Sequence, residues 1–236
     1  MLTFLISSPL EQDRLVNINT LQRQLKNIIH ITAIYPSRIH VPFLNQMLEL
    51  AKQRTNRTLR SAELGLLLSH RKAWRELINS DYESALILES DSMINNDVLL
   101  NNYYETVHKQ FDLFFWGAFD GRMKIFKKGR LNINNDIVVG NPVINSVYCT
   151  YGYSLNKKTA SFLLNQTVKV NYPVDFWKKR LLNANLNIGG IIPEIISTNP
   201  QFKSTVQLNK FNIFENKIVI QVIDFKNTIL AYFNGK

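Results

Sequence analysis

The chain has 236 residues, of which 45% are hydrophobic and 19% are charged, so a disordered or fibrous protein is excluded. Lys and Arg number 28 against 18 Asp and Glu, which gives a formal net charge of +10 and predicts an anionic partner. Nucleic acid, an anionic membrane surface and a phosphorylated small molecule all satisfy this charge.

The first part of the chain alternates strand and helix patterns. The apolar run Leu2–Ser7 predicts a strand, the spacing of apolar residues over 10–25 predicts a helix, and 28–34 predicts a second strand. Residues 35–60 are typical of a loop, a short helix and another loop. This alternation favours an α/β fold with a mostly parallel sheet covered on both faces, whose ligands bind beyond the carboxyl ends of the strands.

A long helix is predicted after residue 60, with Ser61 as its N-cap and Glu63 in its first turn. Its apolar stripe consists of Leu64, Leu67, Leu68, Trp74, Leu77 and Ile78. The run 85–88 has no polar interruption, which is the pattern of a strand buried on both faces. Asp97 is predicted to cap the next helix, over 98–110.

The rest of the chain is less regular. The pattern predicts a strand over 113–117, then a hairpin and loops that include the basic turn Lys127-Lys128-Gly129-Arg130. The later predicted elements are a strand over 148–155, a helix over 158–164, a turn over 172–174, a helix over 175–182 and an extended segment over 188–196. Residues 210–236 are part apolar and part basic, and the pattern predicts no structure for them.

Two acidic residues follow the buried strand. Glu89 and Asp91 are two residues apart, so the period of a strand directs both side chains the same way from the carboxyl edge of the sheet. Mg²⁺ and Mn²⁺ are held by one or two carboxylates together with substrate phosphates, so this edge is a candidate site for a metal and a diphosphate. The alternative is that both are solvated acids at the start of the next helix.

Other polar residues have a functional and a structural interpretation. Arg14 could bind a phosphate or lie on the surface. His70 could act as a base or pack beside the apolar stripe of its predicted helix. Asp175 could act as a base or cap its helix. Glycine-rich nucleotide motifs, RNP-like motifs and helix-turn-helix motifs are missing from the sequence, so nucleic-acid binding rests on charge alone.

Several features predict a location. The single cysteine, Cys149, excludes a disulfide framework within the chain and favours a reducing compartment. The apolar N-terminus lacks a basic region and meets Pro9 and Glu11 too soon for a signal peptide. No apolar stretch approaches the roughly 18 to 20 residues of a membrane span. A cytoplasmic protein is therefore expected, with at most peripheral contact with an anionic membrane surface.

The chain resembles the glycosyltransferases of family 25, the lipooligosaccharide galactosyltransferases of Gram-negative bacteria. The motifs that carry the resemblance, in order, are Phe4-Leu5-Ile6 with Arg14, the segment 61–70 (SAELGLLLSH) with Trp74, 85–91 (ALILESD), 150–155 (TYGYSL) with Ala160, and Pro173-Val174-Asp175. The chain has Glu89-Ser90-Asp91 where the family usually shows Glu-Asp-Asp. The resemblance covers residues 1–205, expected to be a GT-A-like glycosyltransferase domain, and leaves 206–236 as a C-terminal extension.

The resemblance implies inverting transfer of a hexose, galactose in β linkage, from a UDP-sugar to a lipooligosaccharide acceptor at the inner face of the cytoplasmic membrane. It implies Mn²⁺ or Mg²⁺ held by Asp91 and Glu89, and Asp175 as the base because the family places an acid after Pro-Val. The predicted donor-binding residues are Ser7, Arg14, Glu63, His70, Glu89 and Asp91. The alternatives are a UDP-glucose or UDP-N-acetylhexosamine transferase of the same fold, or a basic binding protein without catalytic activity.

Overall fold

The computed structural model of the protein describes residues 1–118, 121–133, 136–202 and 213–233. The strands are β1 (Leu2–Ser7), β2 (Ile28–Thr32), β3 (Ser84–Glu89), β4 (Ser92–Ile94), β5 (Leu113–Phe115), β6 (Leu131–Asn132), β7 (Val138–Gly140), β8 (Gly152–Asn156), β9 (Ile188–Ile192) and β10 (Ile196–Thr198). The α-helices are α1 (Leu15–Gln24), α2 (Val41–Thr55), α3 (Ser61–Asn79), α4 (Asp97–His108), α5 (Lys157–Gln166), α6 (Trp177–Arg180) and α7 (Ile213–Phe233).

The main sheet has the strand order β2-β1-β3-β8-β5-β9-β7-β6. Strand β1 pairs in parallel with both β2 and β3, and β5 pairs in parallel with β9. Strand β8 lies antiparallel between β3 and β5, and β7 lies antiparallel between β9 and β6. The predicted α/β fold with a mostly parallel central sheet flanked by helices is confirmed.

Strand β3 is buried on both faces, as its unbroken apolar run predicts. Ala85 and Ile87 join the core cluster that contains Trp74 of α3, whereas Leu86 and Leu88 join a separate cluster on the other face. Glu89 is the last residue of β3 and pairs with Ile6 of β1. The carboxyl ends of these parallel strands therefore lie at one edge of the sheet, where the acidic pair emerges.

Two predicted helix caps are wrong by one residue. Helix α3 begins at Ser61 with Arg60 as its N-cap, and the backbone N–H of Arg60 donates to Glu63 Oε2 at 2.8 Å. Helix α4 begins at Asp97, and the cap is Asn96, whose side chain accepts a hydrogen bond from the backbone N–H of Leu99. In both cases a side chain satisfies a first-turn N–H group, which is what capping requires.

The helix predicted over 175–182 is shorter than its pattern suggests. Helix α6 covers only Trp177–Arg180, its N-cap is Phe176, and that cap makes no side-chain hydrogen bond. Asp175 lies in the preceding turn, so the prediction that it caps the helix is wrong. In the extension, α7 covers Ile213–Phe233, while 206–212 and 234–236 lie outside the described residues.

His108, the last residue of α4, should make the protein's stability depend on pH. Its Nε2 lies 2.7 Å from the hydroxyl of the buried Ser154, and burial lowers the pKa of His108 from 6.5 to about 4. Between these values the unfolded chain binds a proton that the folded protein does not, so the free energy of unfolding should fall as the pH falls from 6.5 to 4. The loss from this residue is at most about 3 kcal/mol.

The pH dependence can be measured by chemical denaturation of the wild type and of His108→Gln between pH 7.5 and pH 4.5. The variant should lose less stability than the wild type over this range, because its side chain does not titrate. The exposed His40 provides the matched control, and His40→Gln should keep the wild-type slope. Equal slopes in His108→Gln and in the wild type would contradict the prediction.

Candidate active site

A cavity of about 500 Å³ lies at the carboxyl ends of β1, β2 and β3. The residues that line it come from these strand ends, from the turn before α1, from α3, from the segment before β8, from the turn before α6, and from the end of β10 and the segment after it. They include Ile6, Arg14, Ile34, Tyr35, Glu63, Ser69, Glu89, Asp91, Thr150, Asp175 and Phe202. This is the edge where the parallel strands of an α/β sheet place a ligand, and the acidic pair of the sequence analysis lies on its wall.

Glu89 is held from two sides. Thr150 Oγ1 donates a hydrogen bond to Glu89 Oε1 at 2.5 Å, and His70 Nε2 lies 3.5 Å from the same oxygen. Burial alone would raise the pKa of Glu89, but the contacts with His70 and Thr150 outweigh it and lower the pKa below its usual value. Glu89 is therefore a carboxylate at neutral pH, with its side chain fixed at the cavity wall.

Asp91 has the opposite electrostatic environment. Burial and the neighbouring Glu89 raise the pKa of Asp91 to about 6, although the charge of Arg14 lowers it in part. Arg14 Nη1 lies 3.3 Å from Asp91 Oδ2. The other oxygen, Oδ1, is buried and has no hydrogen-bond partner among the described residues. An oxygen of this kind in a cavity is available to a ligand or to a cation.

Arg14 is buried, so the interpretation that it lies on the surface is wrong. Its Nη1 donates to Ser90 Oγ at 2.8 Å and lies 3.4 Å from Glu11 Oε1. The ring of Phe202 covers the guanidinium group, with 5.6 Å between Cζ and the ring centroid. These contacts hold Arg14 against the 89–91 turn, where its positive charge partly offsets the two carboxylates.

His70 contacts Glu89 from the side away from the cavity and is not among the residues that line the cavity. Its Nδ1 lies 2.8 Å from the hydroxyl of Tyr153, and Trp74 Nε1 donates to that same hydroxyl at 2.8 Å. An indole N–H can only donate, so the Tyr153 hydroxyl oxygen accepts from Trp74 while the same hydroxyl contacts His70 Nδ1. The other imidazole nitrogen, Nε2, faces Glu89.

Replacing Tyr153 with Phe should destabilise the protein by about 2–4 kcal/mol. The change leaves the buried Trp74 N–H and His70 Nδ1 without their partner, at almost no change in volume. Urea denaturation measures the difference in free energy of unfolding. The control is Tyr103→Phe, at a half-buried tyrosine on α4, which should change stability by less than about 1 kcal/mol. A similar small loss in Tyr153→Phe would contradict the network.

The other two predicted donor-binding residues have different positions. Glu63 lines the cavity, but its carboxylate is already paired with Arg57, whose Nη2 lies 2.6 Å from Oε1. Ser7 is not among the residues that line the cavity, and its hydroxyl lies 3.0 Å from His30 Nδ1. Glu63 therefore braces the start of α3, and Ser7 ties the end of β1 to β2.

Asp175, the predicted base, lines the cavity from the turn before α6. Burial, then the charges of Glu89 and Glu63, raises the pKa of Asp175, while Arg57 lowers it in part. A raised pKa makes a carboxylate a better proton acceptor near neutral pH, provided that it is ionised there. Since Asp175 does not cap α6, its position is not explained by capping.

A family model described as Glycosyltransferase family 25 (LPS biosynthesis protein) matches residues 1–177. The chain belongs to glycosyltransferase family 25. The resemblance inferred from the ordered motifs is thereby confirmed, and the family supports a transferase of lipopolysaccharide biosynthesis. A search of curated proteins found no match to this family 25 chain.

Three solved structures are similar to this family 25 protein at low identity. A197 from STIV is 10% identical, with 90% of this chain and 100% of that chain covered and a TM-score of 0.47. A putative glucose-1-phosphate thymidylyltransferase from Bacillus anthracis, in complex with a sucrose, is 12% identical. The match covers 80% of this chain and 86% of that chain, with a TM-score of 0.40. HddC from Yersinia pseudotuberculosis, complexed with GMP-PN, is 11% identical. The match covers 85% of this chain and 96% of that chain, with a TM-score of 0.36. All three TM-scores lie below 0.5, and the family assignment rests on the sequence match.

Some residues of the family 25 site were missed by the sequence analysis. Thr150 carries the hydrogen bond to Glu89, and Ser92 Oγ joins Glu89 N to the carbonyl of Tyr151 at 2.9 and 2.5 Å. Asn17 donates to the carbonyl oxygens of Ser90 and Ser92. Thr150 belongs to the motif 150–155, but its hydrogen bond to Glu89 depends on the pairing of β8 with β3, which no local pattern shows. These contacts fix the 89–92 turn from three directions.

Proposed function

We propose that this family 25 protein is an inverting, GT-A-like galactosyltransferase that moves galactose in β linkage from UDP-galactose to a lipooligosaccharide acceptor. The observation that carries the proposal is that Glu89, Asp91 and Asp175 meet around one cavity at the carboxyl edge of the sheet. A sugar transferase needs a place for the donor diphosphate and a base for the acceptor hydroxyl, and these three carboxylates supply both.

Mn²⁺ or Mg²⁺ is the proposed cofactor, with Asp91 and Glu89 as its ligands. The residues present fit such an ion, because Asp91 Oδ1 is buried without a partner in the described part of the chain and Glu89 lies two residues away. No group of three or more His, Cys, Asp or Glu side chains that could hold a metal is found among the described residues, so the proposed ion would rest on these two carboxylates together with donor phosphate oxygens. When bound, the ion would neutralise charge on the departing diphosphate.

Residues of the chain hold the two carboxylates in place and deprotonate the acceptor hydroxyl. Arg14 holds Asp91 from one side, and Thr150 with His70 holds Glu89 from the other, so both carboxylates are positioned before the donor arrives. Asp175 removes the proton from the acceptor hydroxyl. The hydroxyl oxygen then forms a bond to the anomeric carbon as the bond to UDP breaks on the opposite face, and the configuration inverts.

The proposed place of the reaction is the cytoplasmic face of the inner membrane, where the protein would bind peripherally. The net charge of +10 supports an anionic surface as a partner. Within the described residues, no helix combines the length and apolar character that crossing a bilayer requires.

The deciding experiment incubates the full chain with UDP-galactose, UDP-glucose and UDP-N-acetylhexosamines, with and without Mn²⁺, in the presence of lipooligosaccharide. UDP release that depends on UDP-galactose, on the acceptor and on Mn²⁺ is the expected result. Faster turnover of another UDP-sugar would replace the donor and keep the reaction. UDP binding without transfer would indicate a silent fold, whereas steeply salt-dependent nucleic-acid binding without a UDP preference would indicate a basic binding protein.

A further inference from the structure

Over residues 220–233, where its side chains are described, helix α7 packs against the protein by one face. Asp224 Oδ1 lies 3.1 Å from Lys124 Nζ, Asn227 Nδ2 donates to the carbonyl of Asn145, and the carbonyl of Ala231 accepts from the backbone N–H of Lys127. Asn227 and Ala231 are buried. The spacing of 224, 227 and 231 places these three residues on the same side of the helix.

The opposite side of α7 carries large apolar side chains that face solvent. This apolar stripe consists of Val222, Phe225, Ile229, Tyr232 and Phe233, each between 41% and 68% exposed. At 3.6 residues per turn the five residues cluster on the side of the helix away from Asp224, Asn227 and Ala231. A contiguous stripe of this kind marks an interaction surface.

Basic side chains border the apolar stripe. Lys127, Lys128 and Arg130 are exposed in the turn that contacts the C-terminal part of α7, and Lys127 Nζ lies 3.1 Å from the centroid of the Tyr232 ring. Lys226 is exposed on the helix itself, beside the stripe. Over the described side chains of α7, residues 220–233, the single acid is Asp224, which is on the docked side and paired with Lys124.

We propose that the apolar stripe of α7 and the basic turn 127–130 form a docking surface for an anionic lipid bilayer. The stripe inserts into the boundary between headgroups and acyl chains, with the helix parallel to the membrane, and the lysines and Arg130 contact lipid phosphates. Tyr and Phe suit this boundary because they combine a large apolar ring with tolerance of nearby water. The described part of α7 is too polar to span the bilayer, which agrees with an interfacial position.

A second copy of the chain is the other candidate occupant, because the spacing of the stripe also suits a pair of helices. Such a pair would bring Lys226, and the cations of both basic turns, close to their own copies. Repulsion between these like charges disfavours the pair, whereas anionic lipid neutralises them. The charge pattern therefore favours the membrane.

The segment of the chain that contacts α7 is close in sequence to residues that line the cavity. Asn145, whose carbonyl contacts α7, belongs to the 3-10 turn Ile144–Ser146, and Cys149 and Thr150, a few residues later, line the cavity. The proposal concerns the membrane contact alone and stands with any donor sugar.

Sedimentation with vesicles tests the surface on the full chain. Vesicles of phosphatidylglycerol and phosphatidylethanolamine should bind the protein at low salt, and part of the binding should persist at high salt because the stripe is apolar. Neutral phosphatidylcholine vesicles should bind at least 10-fold less. Absence of binding to anionic vesicles at low salt would overturn the proposal.

Two double variants and one matched control separate the contribution of the apolar stripe to vesicle binding from that of the basic turn. Phe225→Ser with Ile229→Ser should lower vesicle binding at least 10-fold at every salt concentration, and Lys128→Glu with Arg130→Glu should do so only at low salt. The control, Val98→Ser with Val168→Ser, removes equally exposed apolar side chains elsewhere and should bind like the wild type. All should keep the thermal midpoint, since the side chains are exposed. Wild-type binding by the Phe225→Ser, Ile229→Ser variant would overturn the proposal.

Insertion itself can be seen by fluorescence. Tyr232→Trp places an indole on the stripe, while the native Trp74, Trp116 and Trp177 are fully buried. Vesicles with brominated acyl chains should quench the new indole and leave the wild-type emission unchanged. Lack of quenching would overturn the proposal. A dimer in sedimentation velocity that Phe225→Ser with Ile229→Ser dissociates would assign the stripe to a contact between copies instead.

Discussion

Replacing Asp91 with Asn should reduce sugar transfer at least about 10²-fold, because it removes the carboxylate with a free, buried oxygen in the cavity. The fold should survive. Ionised Asp91 already costs stability at neutral pH: its pKa of about 6 lies above the ordinary 3.8, so the folded protein binds a proton more tightly than the unfolded chain. Stability from this residue declines as the pH rises through that interval, and Asn removes the decline.

The test combines turnover with thermal denaturation at pH 7. The thermal midpoint of Asp91→Asn should stay within a few degrees of the wild type or rise, since Arg14 keeps its contacts with Ser90 and Glu11. Asp97→Asn is the matched control, because Asp97 is a half-buried acid outside the cavity, six residues later in the chain, and it should transfer sugar normally. Normal turnover in Asp91→Asn would exclude Asp91 as a ligand of the donor metal.

Replacing Asp175 with Asn should lower turnover by about 10²-fold or more while the affinity for UDP-sugar changes little. A general base acts in the transition state, so its loss affects kcat more than donor binding. Because burial and the nearby carboxylates raise the pKa of Asp175, wild-type activity should fall at a higher pH than an ordinary aspartate would give as the solution is acidified. The part of this limb that Asp175 contributes should be absent from the residual activity of the variant, whereas protonation of Asp91, with a pKa of about 6, should still reduce that activity in acid.

The measurement pairs kcat with the UDP-sugar dissociation constant across pH. Asp81→Asn, at an exposed acid outside the cavity, is the control and should leave both unchanged. Near-normal kcat in Asp175→Asn would move the role of base to another acid. Glu194 is a weaker alternative because it already accepts hydrogen bonds from Tyr151 and Ala118, and Asp120, the other acid near the β5 end, lies outside the described residues.

Features that depend on neighbours along the chain follow from the amino-acid sequence alone. The uninterrupted run in β3 predicted a strand buried on both faces, and the period of two predicted that Glu89 and Asp91 would meet on one side. The ordered motifs identified the family over most of the chain. These features are local because side-chain direction repeats every two residues in a strand and every 3.6 in a helix.

Which side chains reach the cavity depends on contacts between residues far apart in the sequence. Arg14 meets Ser90, 76 residues away, and Thr150 meets Glu89, 61 residues away, because β8 inserts antiparallel beside β3. The same packing turns His70 towards the back of Glu89 and turns Ser7 towards His30. These contacts depend on the strand order and on how the helices pack over the sheet. Both are fixed by burial of the whole core, so no local pattern shows them.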